Sequence, residues 1–145
     1  SMTPDEITQV ANLFSKENFD CASCHVVGDR LPTKPMDSWA PDLALAKERL
    51  KPDWIIEWLK EPSKLLPGTK MPTFFDPADF DNAGPPTIFN GDEHVQLRML
   101  RNFILTISEH KDLIDPLPPA TPQPAANEEP TPTPEAAAPA EAPAK

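Results

Sequence analysis

Ile7, Val10, Ala11 and Phe14 recur at helical spacing, and the residues before them supply a start signal. Thr3 can cap, Pro4 suits a first turn and Glu6 completes a capping box. A helix is therefore expected from Thr3-Pro4 to just before Asn18. A short helix is expected from Leu43 to Leu50, after Pro41-Asp42. A third starts at Pro52 and carries Trp54, Ile55, Trp58 and Leu59 as one apolar stripe, with Pro62 as its stop. The longest runs from about Glu93, capped by Asp92, to about Ser108, with Val95, Leu97, Leu100, Phe103, Ile104 and Ile107 on its apolar face. No convincing strand pattern is found, so the chain reads as all-α. Between the last two helices, residues 62–91 form a Pro- and Gly-rich stretch. A loop that long in a small domain implies that something other than protein fills the space inside it.

Composition changes this picture at one end. Residues 3–114 read as one folded domain and 115–145 as a tail. From Pro116 the chain reads PLPPATPQPAANEEPTPTPEAAAPAEAPAK, with no large apolar side chain beyond Leu117. Such a segment buries too little surface to offset its ordering entropy. It is expected to be disordered, semi-rigid through proline, and either a frayed terminus or a tether to another domain or a membrane anchor. The formal charge of −10 argues against a nucleic-acid partner. No apolar run is long enough to cross a bilayer. Ser1-Met2 reads as a cloning remnant before a trimmed start.

The candidate chemistry lies in CASCH at 21–25, which contains both cysteines of the chain. A structural zinc site needs a second ligand pair, and His94 and His110 have no zinc-type spacing. A thioredoxin-like site needs a strand-to-helix turn. A disulfide closing so small a loop gains little. C-x-x-C-H as a covalent c-type haem site uses every cysteine: two thiols reach two vinyl groups and the adjacent imidazole lies under the iron. The sixth iron position then has Met2, Met36, Met71, Met99, His94 and His110 as candidates. Met2 belongs to the cloning remnant, Met99 reads as packing, and His94 and His110 read as surface histidines. Met36 lies only eleven residues after His25. Met71 stands in the rigid stretch PGTKMP at 67–72, where Pro72 favours extended backbone. Its thioether suits low-spin iron, so Met71 is the expected axial ligand.

CASCH, APDL at 40–43, ERLKPDWIIEWLKEP at 48–62 and PGTKMP, in this order and followed by a helix with Phe103, resemble a class I monohaem cytochrome c domain of the bacterial type. The resemblance covers about residues 3 to 114. It implies about four helices wrapped around one covalently bound haem c. It implies thioether bonds from Cys21 and Cys24, and His25 and Met71 as the metal ligands. It also implies a bond from the His25 ring to the Pro41 carbonyl, a propionate contact for Arg49, and Trp54 and Trp58 near the haem edge. An indole N–H, of these or of Trp39, could reach a propionate. Three features depart from the pattern. Ala40 replaces a usual glycine. Phe14 stands unusually far before Cys21, with Phe19 available to fill the space. Residues 74–91, with Asp76, Asp79, Asp81, Pro85 and Pro86, resemble an insertion that shields the haem or docks a partner.

A haem with both axial positions filled exchanges single electrons through an exposed edge. The resemblance therefore implies an electron-transfer domain rather than an enzyme, either a soluble carrier or the electron-entry module of a larger redox protein. Redox partners are expected to dock transiently, oriented by charge, with Lys34, Lys60, Lys64 and Lys70 as a local positive rim. Covalent haem attachment implies a periplasmic or other extracytoplasmic setting. The competing reading is a haem domain with a labile distal ligand, active in peroxide or gas sensing or catalysis.

Overall fold

A computed structural model describes residues 1–114, so the expected tail at 115–145 lies outside the described residues. The described residues contain five α-helices and several 3-10 turns, with two isolated bridges and no strand. The all-α expectation therefore holds. Helix α1 spans Pro4–Phe14 with the expected capping box: Thr3 Oγ1 accepts from the Glu6 amide and Glu6 Oε2 from the Thr3 amide. The expected helix at 43–50 is shorter. A 3-10 turn at Leu43–Leu45 leads into α2, Ala46–Arg49. The Asp42 carboxylate takes the Ala44 N–H at 2.9 Å and tightens this first turn.

Helix α3 spans Pro52–Lys60 and ends before Pro62 as expected. Pro62 then opens α4, Pro62–Leu65, because a residue without an N–H is tolerated at a first helical position. Turns at Phe80–Asn82 and Phe89–Gly91 follow, so residues 62–91 are more structured than a long loop. Helix α5 spans Glu93–Leu105, with the Asp92 carboxylate accepting from the Val95 amide at 3.0 Å. It ends earlier than the periodicity implies, because Thr106 leaves helical geometry and a 3-10 turn at Ile107–Glu109 continues the chain.

Helix α5 is the centre of the packing. Both α1 and α3 lie against it. Phe14 of α1 meets Phe103 of α5 at 5.5 Å between ring centroids, and both are buried with Val10, Leu13, Leu97, Leu100 and Ile104. Residues 74–91 dock onto this same core. Phe75 and Ile88 are buried, and Phe19 stacks on Phe74 at 4.6 Å. Two glutamines hold the segment down. Gln9 of α1 accepts the Phe89 amide at 2.8 Å. The fully buried Gln96 of α5 donates its amide nitrogen to the carbonyls of Pro85 and Ile88, each at 2.9 Å. Gly84 lies so close to the Gln96 side chain that any Cβ there would collide with it. Phe89, Asn90 and Gly91 all take positive φ, of 48°, 54° and 74°. Only Gly91 adopts this conformation freely, so the tie to Gln9 holds Phe89 in a strained backbone.

The far end of the described chain returns to the loop after CASCH. Arg30 donates to the Ile114 carbonyl at 2.8 Å, and Lys111 pairs with Asp29 at 2.9 Å. Hydrogen bonding from Lys111 holds the Asp29 carboxyl below its ordinary range. Its contribution is present above that range and lost as pH falls through the lowered value. The pair is exposed, so the contribution is small.

Phe103→Ala is expected to cost about 3–5 kcal/mol through loss of a fully buried ring. Gln96→Leu is expected to cost about 1–3 kcal/mol by leaving two carbonyls without donors. Denaturant unfolding measures both, and amide exchange should show the Gln96 variant opening first at residues 85–91.

Candidate functional site

The CASCH turn begins at Asp20, whose φ of 51° reverses the chain into a 3-10 turn at Cys21–Ser23. The Asp20 carbonyl accepts from both the amide and the hydroxyl of Ser23, at 3.1 and 2.8 Å. The Cys24 and His25 amides then donate back to the Cys21 carbonyl, at 3.3 and 2.9 Å. One helical turn thus carries both thiols and the imidazole, and a spacing of three puts the two sulfurs on one face. Both cysteines are free and half-buried. Burial, aided by the Asp20 carboxylate, pushes the Cys21 thiol up to about 12. It stays protonated at neutral pH, unlike the low-pKa thiolates of dithiol redox sites.

His25 is fixed by the segment at 39–43. Ala40 N–H donates to the Cys24 carbonyl at 2.8 Å and Leu43 N–H to the Val26 carbonyl at 2.9 Å. This seats the Pro41 carbonyl 2.8 Å from His25 Nδ1. A carbonyl only accepts, so the proton belongs on Nδ1 and Nε2 keeps its lone pair. Burial lowers the His25 pKa, against the opposing pull of the Pro41 carbonyl, and so favours the neutral ring. Asp42 anchors the segment: its Oδ1 accepts from Gly28 at 2.8 Å and from Ala44 at 2.9 Å. The sequence reading did not single out Asp42 for this role, although an aspartate immediately before a helical turn is a capping signal.

Met71 lies in the loop after α4. Its sulfur accepts the indole N–H of Trp58 at 2.8 Å. Trp54, one turn earlier on α3, stacks on Trp58 at 5.2 Å and 16°. Lys70 reaches from the same loop to the Asp37 carbonyl at 2.8 Å. The 34–39 segment is itself tied to CASCH, because the Lys34 amide donates to the Ser23 carbonyl at 3.0 Å. Trp39 Nε1 closes the segment on the Lys34 carbonyl at 2.9 Å. Through this segment the methionine loop and the CASCH turn are fastened to one another.

The other sixth-ligand candidates are placed differently. Met2 and Met99 pack against the core, and Met36 is 64% exposed. His94 meets Phe80 at the start of α5, and His110 stacks on Phe103. Arg49 is exposed at the end of α2, with no hydrogen bond or ion pair among the described residues.

Large apolar side chains left uncovered concentrate in residues 31–66. Leu31, Met36, Trp39, Trp54, Leu65 and Leu66 are all exposed, and Leu113 alone falls elsewhere among the described residues. These positions follow the CASCH turn or precede the methionine loop. A carbonyl-bound imidazole, a thioether and two free thiols on one turn are the residue types that suit a covalently attached haem.

In the unloaded chain, the His25 ring is expected as the Nδ1–H tautomer by nitrogen NMR. Asp42→Ala should cost about 1–3 kcal/mol through two stranded amides and admit the other tautomer. No known protein family matches the chain, no curated protein matches it, and no solved structure matches it.

Proposed function

We propose that residues 3–114 form a class I cytochrome c domain that binds one haem c covalently and passes single electrons between protein partners. The observation that carries this reading is the His25 ring, held through Nδ1 by the Pro41 carbonyl inside a C-x-x-C-H turn. Cys21 and Cys24 would hold the group through thioethers, and His25 Nε2 and Met71 Sδ would be the protein ligands to its iron. Bound there, haem iron supplies one-electron exchange, and imidazole–thioether ligation raises its potential above that of two imidazoles.

The chain's own residues do the rest. The Pro41 carbonyl sets the orientation of the imidazole and strengthens it as a donor. The Trp58 indole positions the Met71 sulfur. The exposed apolar side chains at 31–66 would offer cover to the bound group. Arg49, exposed and without a side-chain partner among the described residues, is a guanidinium available to a propionate. Lys34 and Lys70 are exposed on the segments that flank the site and can orient an acidic partner surface, while Lys60 lies over Phe80 and Lys64 faces Glu61. The covalent attachment places the domain outside the cytoplasm. No described helix is long and apolar enough to cross a membrane.

One observation favours a second reading. Trp58 gives the Met71 sulfur a hydrogen-bond partner of its own, which would stabilise the thioether off the metal and permit a labile distal position in gas or peroxide chemistry.

Expression with haem-attachment machinery should add the mass of one haem and give low-spin spectra with a methionine–iron(III) charge-transfer band. Met71→Ala should abolish that band and lower the midpoint potential. A colourless product, or a Met71→Ala protein with unchanged absorption and midpoint, overturns the reading. Carbon monoxide binding to the reduced wild type would replace electron transfer with the second reading.

A further inference from the structure

A cluster of ligating side chains lies apart from the CASCH turn. Asp81, in the turn at Phe80–Asn82, and Glu93 and His94, the first two residues of α5, each bring a ligand atom within 4.8 Å of the others. Asp81 and His94 are exposed, but Glu93 is only 6% exposed. Its Oε2 is buried and has no hydrogen-bond donor. A buried, unpaired carboxylate oxygen is costly, because it loses water and gains nothing in return. The N-terminus of α5 offsets part of that cost through its dipole but gives this oxygen no hydrogen. A second carboxylate, Asp81, within the same small volume raises the cost further. A cation bound between the three side chains resolves both problems at once.

We propose that Asp81, Glu93 and His94 bind a divalent first-row transition-metal ion, with zinc as the representative. The donor types decide the class. Calcium and magnesium favour oxygen donors throughout, whereas an imidazole beside two carboxylates suits zinc and its neighbours. Three protein donors leave a further position for water or an external ligand. The turn that carries Asp81 is already held near α5, since Phe80 meets the His94 ring at 5.1 Å with the planes 71° apart. Metal binding therefore clamps residues 74–91 to the start of α5. Of histidine and cysteine, the chain holds only two other histidines and the two CASCH cysteines, and none of them belongs to this cluster.

Zinc titration of the full chain by calorimetry tests the proposal, with thermal unfolding as a second readout. The CASCH thiols are a competing soft site, so the comparison includes Cys21→Ser/Cys24→Ser. That double variant should retain one zinc equivalent. His94→Ala should weaken it at least tenfold, and Glu93→Gln and Asp81→Asn should weaken it likewise. His94 is exposed, so its variant keeps the fold. Zinc should raise the thermal midpoint of the double cysteine variant, but not once His94→Ala is added to it. Equal zinc affinity in the double cysteine variant with and without His94→Ala overturns the proposal. So does loss of all zinc binding in the double cysteine variant, or calcium displacing zinc at equal concentration.

Discussion

The arrangement around CASCH depends on one hydrogen bond, from His25 Nδ1 to the Pro41 carbonyl. A neutral imidazole has two interconverting tautomers, and only one of them presents a bare Nε2. The carbonyl selects that one. Proline at 41 has no amide hydrogen of its own, so the segment is aligned by its neighbours, Ala40 and Leu43, which pair with Cys24 and Val26. Asp42 then locks it to Gly28 and Ala44. Sequence positions fourteen to sixteen residues apart thus become one rigid support beneath a single ring.

Much of the frame was legible in the residues. The capping box at Thr3 and Glu6, the start of α3 at Pro52 and the Asp92 cap of α5 are local signals, and local hydrogen bonds enforce them. What the pattern left out has physical reasons. Pro62 ends one helix and begins another, because proline obstructs only what precedes it. Helix α5 stops at Leu105 although the apolar period continues to Ile107, since a 3-10 turn buries Ile107 equally well.

The site was legible in part. The residue types and spacing of CASCH marked the turn as the candidate site, and the resemblance anticipated the Pro41 contact. Pairings between distant segments were not readable. Nothing in the order of residues foretells that the Trp58 indole donates to the Met71 sulfur or that Lys70 reaches Asp37. Gln96 was hidden for a different cause. It is polar within an apolar stripe, and periodicity assigns such a residue to solvent until the carbonyls it serves are known. The same holds for Glu93, which sequence alone places on an exposed first turn.

The left-handed run at Phe89 and Asn90 has a consequence for how residues 74–91 are held. A left-handed residue with a side chain costs roughly 1–2 kcal/mol. Phe89 keeps that geometry only while Gln9 holds its amide and Gln96 holds the carbonyls nearby. Both α1, through Gln9, and α5, through Gln96, therefore bear on the backbone strain at Phe89.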